Sequence, residues 1–355
     1  MKDLLSARFS VNAKEGYSDF TQNQVEYINK VRGKILNGFT LKANNCPCGE
    51  GDREKDIVIS EIDRYGLPLQ TVLCVKCGTL RIDPYLDDKS LSDFYTDYYQ
   101  QMYGRSVKVD EYFAKQSNYG KKFYELAKQS LRPGSNILEF GCGAGGALAT
   151  FKANGHNVYG IEYSQELISY GKSMGLSNLY YGSLVDFRNA NKGVKFDLIY
   201  SNHVFEHVNN PHEYLSNCRE MLGENGSIIC AIPDIYNSHT HIFPNSNFKP
   251  MFHIAHIYNY SMSCLENMAE KLGMEIQRLA PDPSIRTATS DMPELWFRMQ
   301  ANKLSHSRAR SEKSDYLKYF KTVEQNFLNG TNLLAAKPTG GKIKTLIKKI
   351  IKWKK

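Results

Sequence analysis

Asn136-Ile137-Leu138-Glu139-Phe140-Gly141-Cys142-Gly143-Ala144-Gly145-Gly146 is the stretch whose reading decides the fold. The apolar run Ile137 to Phe140 has the composition of a short strand buried on both faces of a parallel sheet. It stops at a glycine cluster, and a helix-compatible run, Ala147 to Ala153, follows. Strand, glycine turn and helix together bring backbone N–H groups up to a ligand at a helix N-terminus. The glycines allow positive φ and keep side chains out of the ligand's way. Alone, such a loop fits many nucleotide-binding proteins.

Downstream of it the alternation continues. Asn157 to Ser164 reads as a second strand ending in an acid, Glu162, which an adenosine ribose needs at the tip of such a strand. A helix, Gln165 to Gly175, leads to a third strand, Asn178 to Tyr181, and then Gly182-Ser183-Leu184. Lys195 to Val208 holds a buried fourth strand that opens into Asn202-His203-Val204-Phe205-Glu206-His207. Leu222 to Gly226 reads as a turn before a fifth strand, Ser227 to Ile232. The expected fold class is α/β, a Rossmann-like, mostly parallel sheet preceded by a small zinc ribbon and helices; the family that these motifs resemble has seven strands in that sheet.

Upstream lie Cys46-Pro47-Cys48-Gly49 and Cys74-Val75-Lys76-Cys77-Gly78. Two tight turns carrying paired thiols supply the four ligands of a tetrahedral zinc, a closed structural site. Two disulfides or free core thiols are the competing reading. The first pair has one intervening residue where a zinc ribbon has two. Between residues 86 and 131 two helices are expected. In the first, Leu91, Phe94, Tyr95, Tyr98, Tyr99 and Met102 share one face. Most of those rings suit a core, and one or two could cover a site. Thr21 is positioned to cap an N-terminal helix bearing Val25, Ile28, Val31 and Ile35.

The chain has 355 residues and a formal net charge of +8. Seven lysines between Lys342 and Lys355 account for nearly all of it, so the body is close to neutral. That argues against a nucleic-acid surface. In the same tail Ile343, Leu346, Ile347, Ile350 and Ile351 fall on one helical face, the pattern of a helix lying on an anionic membrane; a disordered solubilising tail is the plainer reading. Met1 to Arg8 has no long apolar region of a secretory signal, and no apolar run is long enough to span a bilayer. The expected location is the cytoplasm, peripheral to the inner face of the membrane if the tail docks.

The ordered set Leu138-Glu139-Phe140-Gly141-Cys142-Gly143-Ala144-Gly145, Glu162, Phe196-Asp197-Leu198-Ile199 and Glu206-His207-Val208 resembles class I S-adenosylmethionine-dependent methyltransferases, over about Asn136 to Met299. Where that family commonly has Pro-Gly-Gly before the fifth strand, Glu224-Asn225-Gly226 stands here. The loop lacks the glycine spacing of a dinucleotide-dependent dehydrogenase. With the cysteine pairs in front, the chain is also similar to bacterial methyltransferases that carry an N-terminal zinc-binding module and act on sugars, nucleotide-linked or in surface glycans.

The resemblance implies S-adenosylmethionine and a structural zinc as the bound groups, and a small-molecule or glycan acceptor. Glu139 would hold the methionine ammonium and Glu162 the ribose. Gly141, Gly143 and Gly145 would let the backbone touch the ligand. Ser183 and Leu184 would flank the adenine, and Asn202 and His203 the floor beneath the sulfonium. A hydroxyl acceptor needs a base, for which His207 is the first candidate, with Glu206 beside it and His256 and Tyr258 as further pocket residues. His239, His241, His253 and His256 make the segment after the fifth strand rich in histidine. An acceptor other than a sugar (a small molecule, lipid or RNA) and a non-catalytic binding module are the other readings. The implied organisation is an arm over 1–40, the ribbon-like module over 41–85, aromatic helices over 86–131, the methyltransferase domain over 132–335 and the tail over 336–355.

Overall fold

The computed structural model describes residues 4–13, 20–103, 108–236, 249–287, 293–301 and 316–329. The basic tail, His239 and His241 lie outside the described residues.

Helix α1 (Gln22–Asn37) starts at Thr21, whose hydroxyl and Gln24 cap each other reciprocally. Its Ile28, Val31 and Ile35 are buried, whereas Val25 is exposed. Strand β1 (Leu41–Lys42) pairs with β5 (Tyr85–Leu86). Between them lie β2 (Ile57–Ser60), β3 (Thr71–Leu73) and β4 (Leu80–Ile82), an antiparallel meander.

Two short helices follow, α2 (Asp88–Asp97) and α3 (Tyr99–Tyr103), broken at Tyr98. The aromatic stripe is therefore bent, not one continuous helix as its spacing suggests. Helix α4 (Val109–Ala127) then leads to the main sheet; it ends four residues before Leu131, the end read from the sequence.

That sheet comprises β6 (Asn136–Phe140), β7 (Asn157–Glu162), β8 (Leu179–Tyr181), β9 (Phe196–Asn202) and β10 (Leu222–Pro233), with α5 (Gly146–Ala153), α6 (Gln165–Ser173), α7 (Leu184–Ala190) and α8 (Pro211–Met221) as crossovers. Strand β11 (Tyr258–Asn259), helix α9 (Met262–Lys271), strands β12 (Glu275–Leu279) and β13 (Glu294–Gln300) and helix α10 (Tyr316–Leu328) complete the described elements. The strand order is β12-β13-β10-β9-β6-β7-β8, with β13 antiparallel to both neighbours. Among the other neighbouring pairs of this sheet the strands run parallel, as their unbroken apolar runs require. The expected seven-stranded, mostly parallel architecture is borne out. Strand β10 starts at Leu222, and the sequence Gly223 to Gly226 that reads as a turn is an irregularity within it.

The order of connection reverses between β6 and β9, so a crevice opens at the carboxyl ends of those strands. Strand β11, from the far side of the main sheet in sequence, pairs with β4 and becomes the edge of the small sheet. Residues 41–85 are thus not a free-standing ribbon: their sheet is finished by the larger domain. Tyr258 carries this across, since its hydroxyl donates to Asn44 Oδ1 at 2.7 Å. Among the described residues no helix is long and apolar enough to cross a membrane.

Candidate active site

The strand ends at the crevice carry the residues singled out in the sequence. Glu139, on β6, is 2% exposed and accepts from the Tyr200 hydroxyl at 3.0 Å. Burial raises its carboxyl well above the usual range; the Tyr200 hydrogen bond opposes this and the charge of Glu162 adds to it. A carboxyl so placed gains from a cationic partner. Glu162, at the tip of β7, accepts from the backbone N–H of Gly143 at 2.9 Å, Tyr163 at 2.7 Å and Ser164 at 3.0 Å. It thereby latches the glycine loop.

Gly143 has φ +54, and a Cβ there would meet Gln116 Nε2 at 2.6 Å and Tyr112 Cε1 at 2.8 Å. Both neighbours come from α4, which lies over the loop. Gln116 clamps it, donating to the Cys142 carbonyl at 2.9 Å and accepting from Ala144 and Gly146 N–H at 3.2 and 3.4 Å. Gly141 and Gly145 also have positive φ. Ser183 is the N-cap of α7, holding the Asp186 N–H at 3.1 Å, and Leu184 behind it is buried. Asn202 ends β9, and its buried Oδ1 has no hydrogen-bond partner among the described residues. A glycine cradle, an acid at each of two strand tips and this open acceptor fit a zwitterionic nucleoside ligand.

Across β9 lies a second cluster. His207 Nδ1 is 3.1 Å from the Tyr95 hydroxyl, and Glu206, 1% exposed, stands 3.8 Å from His207 Nε2. Rings close a belt: Tyr95 to Tyr99 (centroids 5.0 Å), Tyr99 to Tyr103 (5.2 Å), Tyr103 to His253 (5.6 Å), His253 to His256 (4.9 Å) and His256 to His207 (4.9 Å). Arg64, from the small module, stands over Tyr65 and Tyr103. Burial lowers the His207 imidazole below its ordinary pKa; Glu206 opposes this and the charge of His203 reinforces it. His253 and His256 are lowered further, by burial first and then by neighbouring cations. His253 Nδ1 accepts from the Ala255 N–H at 2.9 Å, so the neutral ring carries its proton on Nε2, facing the Tyr65 oxygen at 3.2 Å.

His203 follows directly on β9, and its ring contacts Glu206 (Nδ1 to Oε1, 3.4 Å) and Glu294 (Nε2 to Oε1, 2.9 Å). Glu206, His207 and His256 present ligand atoms within 4.8 Å of one another. His203 Nδ1 also faces that Glu206 carboxylate, at 3.4 Å.

Tyr95, Arg64, Gln116, Tyr112 and Glu294 are site residues that the sequence did not single out. Tyr95 belonged to the aromatic stripe without being distinguishable within it. Glu294 comes from an antiparallel strand far along the chain, and no local motif marks it.

The four thiols Cys46, Cys48, Cys74 and Cys77 are buried, and their sulfurs lie within 4.8 Å of one another. Cys46 Sγ is 3.5 Å from Cys77 Sγ, and Cys48 Sγ is 3.9 Å from Cys74 Sγ. The four are free thiols, and these separations bracket the ~3.8 Å edge of a tetrahedral zinc–thiolate site. A fifth buried thiol, Cys264 of α9, interacts with Cys46 and Cys77, and Ser261 Oγ donates to the Cys77 carbonyl at 2.5 Å. The cluster therefore also joins the small module to the main domain.

Residues 112–279 match a family model described as "Methyltransferase domain". A ubiquinone biosynthesis O-methyltransferase from Cereibacter sphaeroides is 33% identical over 104 residues, 28% of this chain and 41% of that protein. The C-methyltransferase NovU of Streptomyces niveus is 20% identical over 213 residues, 59% of this chain and 47% of its own. The chain thus spans less than half the length of these curated relatives. The plantazolicin methyltransferase BpumL, solved with SAH, superposes with a TM-score of 0.44 at 14% identity, covering 60% of this chain and 94% of that one. The family match falls on strands β6 to β10 and the glycine loop described above, so residues 112–279 resemble a methyltransferase domain laid out on the class I methyltransferase sheet.

Proposed function

We propose that this protein is an S-adenosylmethionine-dependent methyltransferase that methylates a sugar hydroxyl, with His207 taking the proton through Tyr95. The observation that carries this is His207 itself. It is held neutral by burial, hydrogen-bonded to Tyr95, and set just beyond β9, beside the crevice that holds the glycine loop. When bound, the donor supplies a methyl group activated on a sulfonium.

Glu139 would face its ammonium and Glu162 its ribose hydroxyls. Gly141, Gly143 and Gly145 would offer backbone, Ser183 and Leu184 would flank the adenine, and Asn202 would lie beneath. In the tautomer that leaves Nδ1 unprotonated, the Tyr95 hydroxyl donates to His207. A proton leaving the acceptor oxygen then passes to Tyr95 as the Tyr95 proton passes to His207. The belt of tyrosine and histidine rings, polar at its edges and flat on its faces, suits a hydroxylated ring. Arg64 beside it suits a phosphate-linked sugar. The decisive experiment screens nucleotide sugars by mass spectrometry for the gain of one methyl group. Turnover only with lipids, quinone-like phenols or RNA would end the sugar assignment, and no turnover with any acceptor would favour a binding module.

If His207 is the base, the neutral form is the active one. Its lowered pKa means that kcat/KM stays flat as pH falls through ~6.5, the ordinary imidazole midpoint, and declines only below it. An acid limb at or above pH 7 would contradict this.

Cys46, Cys48, Cys74 and Cys77 are proposed to hold one structural zinc, a closed site with no open position for chemistry. Elemental analysis should find about one zinc per chain. Cys77→Ala should lose it and lower the unfolding midpoint by roughly 10 °C or more. Full stability without metal would refute the site. The tail of Lys342 to Lys355 is proposed to dock on an anionic membrane; equal vesicle binding by a chain ending at Pro338 would end that idea.

A further inference from the structure

His203 is the single non-glycine residue with positive φ (+52) among the described residues. Such a conformation is strained for a side chain with a Cβ, and it persists where the surroundings impose it. Here they do. The His203 N–H is tied to the Ala231 carbonyl at 2.8 Å, and the ring is clamped between two acids, Glu294 at 2.9 Å and Glu206 at 3.4 Å. Among the described residues neither buried oxygen of Glu206 has a hydrogen-bond partner, and the imidazoles of His203 and His207 are its charge contacts. Glu294 is itself fixed, by the Trp296 indole at 3.0 Å and by Lys122 of α4 at 3.8 Å.

Charge balance says which ring holds a proton. Glu206 and Glu294 bring two negative charges into a buried layer. Lys122 brings one positive charge, and an unbalanced buried charge is costly. His203 touches both acids, and a positive charge on its ring offsets them. Were the proton on His207 instead, that ring would have no capacity left to accept one.

We infer that His203 is a positioning residue, a fixed cationic post that holds the Glu206 carboxylate in place and leaves His207 neutral and ready to take a proton. This rests on the proposed role of His207 as base. The groups facing the pair are Glu206 from the same loop, Glu294 from β13, Lys122 from α4, Tyr95 from α2 and His256 from the segment before β11. In agreement, burial alone would lower the His203 imidazole, but the two carboxylates reverse this and bring its pKa to about 10.

The test is NMR titration of the imidazole Cε1–H signals in the full-length, zinc-loaded protein, which needs no acceptor. His203 should stay protonated from pH 5 to 9 while His207 titrates below its ordinary midpoint. In His203→Asn, a residue that tolerates positive φ, the His207 midpoint should rise by about one pH unit, because a neighbouring positive charge is gone. In Glu294→Gln, which keeps shape, the His203 midpoint should fall by at least about one unit. If His203→Asn does not fold, Glu294→Gln decides. A His203 that titrates near 6.5, or a His207 midpoint unmoved by His203→Asn, overturns the inference. Normal turnover by His207→Ala would sink the base assignment instead, while leaving the titration of His203 as measured.

Discussion

Replacing His207 with alanine is expected to lower turnover by roughly 10²- to 10⁴-fold, the usual contribution of a positioned general base. Affinity for S-adenosylhomocysteine should not change, because His207 lies outside the glycine loop, Glu139 and Glu162. The measurement is a pair: single-turnover rate with the acceptor found by the sugar screen, and calorimetric binding of S-adenosylhomocysteine. Tyr95→Phe should lose part of the same effect, since the hydroxyl 3.1 Å from Nδ1 is the proposed relay. A His207→Ala enzyme within about threefold of wild type would rule out proton transfer to this residue and leave Glu206-His207 with a role in loop shape alone.

The second large effect is expected from Gly146→Ala. Helices α4 and α5 cross with their backbones nearly touching. A Cβ at Gly146 would lie 2.0 Å from the Phe113 carbonyl oxygen, and one at Gly120 would lie 2.4 Å from the Ala147 carbonyl oxygen. Both obstacles are backbone and cannot rotate away, so α4 must lift. Overpacking of this kind costs about 1–3 kcal/mol. Lifting α4 also loosens Gln116 from Cys142, Ala144 and Gly146, the bonds that shape the glycine loop proposed to hold the donor. At about 1 kcal/mol per hydrogen bond, donor affinity should fall by roughly 10- to 100-fold. Calorimetry and thermal unfolding check both parts. Gly33→Ala, in α1 with no neighbour within 4 Å, is the control, and should stabilise by about 0.5–1 kcal/mol. Equal behaviour of the two variants would refute the crossing argument.

The two effects differ in how far the sequence foretold them. The glycine loop announces itself, because a strand that stops at Gly141 and resumes as a helix is a local event. The need for glycine at 120 is not local. Nothing near Gly120 distinguishes it from any glycine in a helix; only the approach of α5 makes it necessary. The aromatic stripe behaves in the same way. Spacing placed Leu91, Phe94, Tyr95, Tyr98, Tyr99 and Met102 on one face, and the break at Tyr98 turned that face into two short helices. That bend lets Tyr95 reach His207 while Tyr103 meets His253.

By itself the sequence determined five strands of the main sheet, the glycine loop with Glu139 and Glu162, and the two cysteine pairs. Each is a short-range pattern: an apolar run, a glycine cluster, a spacing of thiols. Tertiary structure alone decided the rest. It brought Glu294 from an antiparallel strand against His203, set Tyr95 on His207, and used Tyr258 and Cys264 to stitch the cysteine module to the main domain. Those partners are separated by tens to hundreds of residues, and a buried charge or thiol leaves no periodic trace of the neighbour it will need. Its partner is fixed only when the chain closes around it, where low dielectric makes an unmatched charge too costly to leave.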